Sequence, residues 1–101
     1  MKPTREQERA AAFFHALGHR RRQMLCAVLL QYGPNGLSFE QLQRKTGLAA
    51  STLGHHLHFM DRGGLLHRRQ KGRETWISLD AARLKNLTQA FSQRVGRAIA
   101  A

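Results

Sequence analysis

Leu53, Leu57 and Met60 recur at i, i+4 and i+7, so they share one side of a helix. At about 100° per residue, the opposite side carries Ser51, His55, His58 and Arg62. That side is polar and rich in donors. Gly63-Gly64 ends the helix. Beyond it, Trp76, Ser78 and Asp80 alternate with Thr75, Ile77 and Leu79, the period of a strand. Two strands are predicted, roughly Leu65 to Arg69 and Glu74 to Leu79, with a glycine turn at Gly72 between them. Trp76 is expected to anchor this hairpin in the core. Arg68, Arg69, Lys71 and Arg73 make the hairpin cationic.

The preceding chain reads as three helices. Thr4 is the predicted cap of the first, with Glu6 and Glu8 in the turn where the helix dipole favours negative charge. Phe13 and Phe14 point about 100° apart, so one can enter its own core and the other can meet a second surface. A second helix is expected from about His19 to Tyr32, with Met24, Leu25, Val28 and Leu29 inward. Arg20, Arg21 and Arg22 oppose the dipole in its first turn. They are either a solvated cluster or a seat for phosphate. Gly33-Pro34-Asn35-Gly36 is a turn. Ser38 with Gln41 has capping-box form and opens a short helix that buries Leu42 and Leu48 and closes at Thr46-Gly47.

A short helix, a glycine turn and a second helix make a helix-turn-helix. With a basic hairpin after it, the pattern is a winged helix-turn-helix, mostly α with a small β-hairpin wing, in the order α-α-α-α-β-β-α. The last helix starts at Asp80 and repeats Leu84, Leu87, Phe91 and Ala98, with Val95 close by. That narrow stripe is of coiled-coil type and needs a partner helix. Residues 1–101 read as a single domain, with 4–17 and 80–100 as flanking dimerisation helices.

Composition sharpens the function. Lys and Arg number 17 against 6 Asp and Glu, a net charge of +11. Such an excess speaks to partners, nucleic acid first and an anionic membrane surface second. The 42% hydrophobic content is enough for a packed core and argues against a disordered basic tail. No apolar leader occupies Lys2 to Arg9, and the run Met24 to Leu30 is far short of the roughly 18 residues of a span. A soluble, intracellular protein is expected.

Cys26 is the one cysteine, so neither an internal disulfide nor a CxxC zinc element can form. It reads as a small buried hydrophobe. His55 and His58 share a face at i, i+3, but a third and fourth ligand are not evident, so no metal and no cofactor are expected. His56 lies nearer the core stripe. No acid/base pair, nucleophile triad or phosphate-cradling glycine loop stands out, and an enzyme is not expected.

Thr52-Leu53-Gly54-His55-His56-Leu57, Gly63-Gly64-Leu65-Leu66, Arg68 to Arg73 and Trp76-Ile77-Ser78-Leu79 together resemble the ArsR/SmtB family of bacterial winged-helix repressors. Phe14-His15-Ala16-Leu17 and Arg22-Gln23-Met24-Leu25 resemble the family's opening segment. The resemblance implies a homodimer built from the first and last helices, in the bacterial cytoplasm. Such a dimer binds an imperfect palindrome in double-stranded DNA and represses transcription. It departs from the family at Ala49-Ala50 and at Gly54, positions that commonly face bases. Ser38 and Glu40 stand where some members carry a thiol pair. Ala81, Ala82 and Arg83 offer no histidine for the last-helix metal site.

The expected DNA-binding residues are therefore Ser51, Thr52, His55, His56, His58, Arg62, Arg68, Arg69, Lys71, Arg73, Arg20 and Arg21, with Arg22 as a further phosphate contact. The expected dimer residues are Phe13, Phe14, Leu84, Leu87, Phe91 and Val95. Two other readings stay open: redox or small-molecule sensing through Cys26, and a basic winged helix used for protein or RNA contact.

Overall fold

The computed structural model describes residues 1–100. Thr4 opens α1 (Arg5–Leu17) with a reciprocal capping box: its Oγ1 accepts from the Gln7 N–H at 3.0 Å, and its own N–H donates to Gln7 Oε1 at 2.9 Å. Gly18 and His19 break the chain before α2 (Arg20–Leu30). A 3-10 turn, Gly33–Asn35, leads to β1 (Leu37–Ser38) and α3 (Phe39–Thr46). Ser38 caps α3 in the second capping box, with Gln41 as its partner. Gly47 then takes φ 72°, the left-handed C-cap that lets α4 (Ala50–Arg62) turn across α3. The wing is β2 (Leu66–Lys71) and β3 (Glu74–Leu79), and α5 (Ala81–Ala100) ends the described chain.

The sheet is antiparallel, in the order β1-β3-β2. Leu37 pairs with Ile77 and Ser38 with Trp76 on one side of β3, and Arg68 and Arg69 pair with the same two residues on the other. The short strand β1 was not expected, because two residues carry no periodicity. Gly36 admits it: its φ is 69°, and a Cβ there would run into the Ile77 carbonyl. β2 also runs two residues further than predicted, to Lys71.

The core joins one side of every helix before the wing. Phe13, Leu25, Leu29, Leu42, Leu53, Leu57, Met60, Leu65 and Ile77 have no measurable exposure. Gly63 lets α1 and α4 approach closely, since a Cβ there would lie 2.7 Å from Ala16 Cβ. Three expectations about the core are corrected. Met24 is 38% exposed, and Cys26 takes the inward place beside Leu25 and Leu29. Trp76 is only half-buried, on the face of β3 opposite Ile77, where Lys71 Nζ lies 4.6 Å from its ring. Leu48 is half-buried.

Asp80 caps α5, its Oδ1 accepting from the Arg83 N–H at 3.0 Å. Leu84 and Leu87 pack partly on the core, but no residue of α5 is fully buried. Phe91, Val95 and Ile99 stand exposed in succession, so the stripe runs on through Ile99 and not through the expected Ala98. Phe13 is fully buried and has nothing left to offer a partner, which corrects its place among the dimer residues. Phe14 is the exposed member of the pair and meets Phe91 edge-on at 5.2 Å. Among the described residues no helix is long and apolar enough to cross a membrane.

Candidate nucleic-acid interface

α4 divides cleanly. Leu53, His56, Leu57 and Met60 are buried, while Ser51, His55, His58 and Arg62 are exposed and Thr52 is half-buried. Ala49 at its cap has no side-chain acceptor, so the first N–H groups of α4 remain available to an outside acceptor. Gly54 borders the polar stripe, and a Cβ there would meet nothing within 4 Å. Packing does not require that glycine, which costs the helix about 1 kcal/mol relative to alanine.

His56 is 5% exposed and turned inward, which corrects its place among the surface contacts. Its Nδ1 lies 3.4 Å from a terminal nitrogen of Arg22. Arg22 is itself 5% exposed. Its Nε donates to the Ala16 carbonyl at 2.7 Å and its other terminal nitrogen to the His15 carbonyl at 3.0 Å. Its guanidinium also lies over the Phe59 ring at 5.1 Å. The expectation of solvent or phosphate at Arg22 is thereby corrected: the cation that opposes the dipole of α2 sits on the carbonyl end of α1, where a positive charge is favoured. One side chain thus ties α1, α2 and α4 together.

Arg20 and Arg21 stay exposed. Arg21, His19, Ser51, Thr52 and His55 line a shallow depression of about 370 Å³ where the starts of α2 and α4 meet. His19 Nδ1 accepts from the Arg21 N–H at 3.1 Å, and the His19 and His56 rings are 4.6 Å apart. Burial, then the surrounding cations and His55, hold both imidazoles below the ordinary histidine value, so they stay neutral at neutral pH. A neutral His56 can accept from Arg22.

The wing sits at the other end of α4. Arg68 reaches back to Asp61 at 2.6 Å and is therefore partly engaged within the protein. Lys71 lies over Trp76. Arg69 and Arg73 are exposed and, among the described residues, have no carboxylate within ion-pair distance. Gly72 at the tip has φ 59°. Among the described residues no three metal-ligating side chains converge. Cys26 is buried, and burial raises its thiol pKa, so little thiolate is present for redox chemistry.

Neither Arg22 as a staple nor Phe59 as the ring that His15, His55 and His58 meet edge-on at 5.3, 4.9 and 5.7 Å was expected from the sequence. The misplaced arginine at the start of α2 was the available signal for the first. Phe59 had none, because it lies between the apolar and polar stripes.

A helix-turn-helix whose second helix turns a polar side outward, followed by a cationic hairpin, defines the winged helix-turn-helix class. Solved structures carry the comparison further. The chain is similar to an ArsR family transcriptional regulator over 100% of its own length and 98% of that chain, with TM-score 0.80 and 16% identity. It is similar to HlyU from Vibrio cholerae over 90% and 96%, with TM-score 0.66 and 25% identity. It is similar to a homodimeric winged helix-turn-helix DNA-binding domain from Mycobacterium bovis, a possible ArsR-family regulator, over 85% and 80%, with TM-score 0.68 and 26% identity. No family model and no curated protein matches the sequence. The winged helix-turn-helix fold is the one that these ArsR-family proteins share.

Proposed function

We propose that the chain is a sequence-specific, DNA-binding transcriptional regulator, a homodimeric repressor acting in the bacterial cytoplasm, and not an enzyme. The observation that carries this reading is the exposed stripe Ser51, His55, His58 and Arg62 on a helix whose other side is buried. Such a helix fits the major groove, where base edges present a distinguishable code. Ser51, Thr52, His55 and His58 supply the base contacts. Arg20, Arg21, Arg62, Arg69, Lys71 and Arg73 supply phosphate contacts, which set register and carry most of the affinity. Arg68 contributes less, because Asp61 already holds it.

The single domain 1–101 pairs through α1 and α5, with Phe14, Leu84, Leu87, Phe91 and Val95 at the contact. Such pairing implies an imperfectly palindromic site. The net charge and the bacterial relatives support this setting. Sensing through Cys26 is not favoured, given its burial.

Selection of bound duplexes from a random pool, followed by a footprint, tests the proposal. The expected result is one enriched motif with two half-sites. Affinity for it should fall by roughly 10³ to 10⁵ between about 50 and 200 mM salt, for about 6–10 phosphate contacts in the dimer. No enrichment, or equal retention of RNA at about 150 mM salt, would overturn it.

A further inference from the structure

Away from the polar stripe, a cleft of about 580 Å³ opens between the end of α2, the wing root and the start of α5. Leu30, Pro34, Ala81 and Ala82 give it apolar walls, with the nearly buried Leu79 at its floor. Leu30 is 53% exposed, a large apolar surface with nothing over it. His67, Arg69 and Asp80 supply polar groups. Small-molecule sites are mostly apolar hollows of roughly 300–1,000 Å³ with a few placed polar groups.

The charges select the kind of ligand. Asp80 is committed twice: Oδ1 caps α5 through the Arg83 N–H, and Oδ2 faces His67 Nε2 at 3.2 Å. Arg68, which also borders the cleft, is held by Asp61. Arg69 is the arginine there without a carboxylate partner among the described residues. An apolar hollow beside an unpaired guanidinium suits an apolar body with an anionic head. We propose that this cleft binds a small amphipathic carboxylate, its hydrocarbon against Leu30, Pro34 and Ala82 and its head on Arg69. Binding would draw Arg69 away from phosphate and weaken DNA binding. That consequence rests on the DNA-binding reading; occupancy of the cleft does not.

Titration of the full chain with octanoate, followed through amide NMR resonances, tests occupancy. Octanol and octylamine carry the same hydrocarbon with a neutral and a cationic head. Octanoate should shift Leu30, Leu79 and Ala82 and bind roughly tenfold or more tighter than either, the scale of one charge-assisted contact. Arg69→Gln should remove that advantage. Ala82→Trp, and independently Ala81→Trp, should block the cleft without altering net charge. Equal binding of the three heads, Arg69→Gln without effect, or shifts confined to Phe14 and Phe91 would overturn the proposal. So would the same resonances moving on dilution without probe, which would mean that a second copy covers the cleft. In the DNA arm, octanoate should weaken binding to the selected duplex in the wild type and not in Arg69→Gln. Octanoate in the cleft with no duplex bound would support the cleft and sink the DNA reading. Duplex binding indifferent to bound octanoate would overturn the regulatory half.

Discussion

Arg22 shows how much one side chain can decide. Buried charge is tolerated only when its donors are used, and this guanidinium places donors on two carbonyls and one imidazole. Arg22→Met should therefore strip the buried Ala16 carbonyl and His56 Nδ1 of this donor, while the His15 carbonyl keeps the Gly18 N–H, at a cost of about 2–4 kcal/mol in urea unfolding. Arg22→Lys should recover little of it, because a point charge cannot span three acceptors. The histidine beside it gives a pH signature. Burial, reinforced by His19, Arg22, Arg21 and His55, places the folded pKa of His56 below the ordinary 6.5. The unfolded chain then takes up protons first as pH falls, so the stability present above 6.5 is lost as pH drops through the lowered folded value. The urea midpoint should fall between about pH 7 and 5. His56→Gln, which keeps an acceptor for Arg22, should flatten that fall, and an unchanged slope would refute the assignment.

At the scale of elements, α4 and the wing have separable tasks. His55→Ala should relax preference at a few base pairs, by about 1–3 kcal/mol of discrimination, with general affinity nearly kept. Arg69→Ala with Arg73→Ala should weaken binding to all duplexes alike and lower the salt slope by about two. Competition binding over a salt series distinguishes the two patterns. Long elements were legible in the sequence because their burial repeats. The sides of α4, the caps Thr4, Ser38 and Asp80, and both hairpin strands all follow from spacing and side-chain chemistry. What escaped has no period. β1 is a dipeptide defined only by its partner in β3. Trp76 alternates correctly but faces Lys71, because an aromatic ring satisfies a wing surface as readily as a core. Arg22 and His56 lie 34 residues apart, and only the crossing of α2 and α4 brings them together. Of the candidate interface, the exposed histidines and wing arginines could be named from sequence; which of them the protein keeps for itself could not.

For the whole molecule, shape and uncovered apolar surface point to an assembly. The extents are 52 × 27 × 24 Å, long in one direction for a chain of this size. Phe14, Phe91, Val95 and Ile99 leave apolar surface on α1 and α5 that a lone copy does not cover. Phe91→Glu should shift the chain from dimer to monomer in analytical ultracentrifugation. It should also cost most of the affinity for a two-half-site duplex while sparing the fold by circular dichroism. A Phe91→Glu protein of unchanged mass would remove α5 from the contact.

Ser38 belongs to two structures at once: its backbone borders Trp76 in the sheet, and its hydroxyl starts α3. The tilt of the basic hairpin is therefore inherited from the same peptide that launches the helix-turn-helix. A chimaera that imports another protein's hairpin while keeping this dipeptide should retain its aim. One that replaces Leu37-Ser38 along with the hairpin should lose the alignment of both, however well each piece folds.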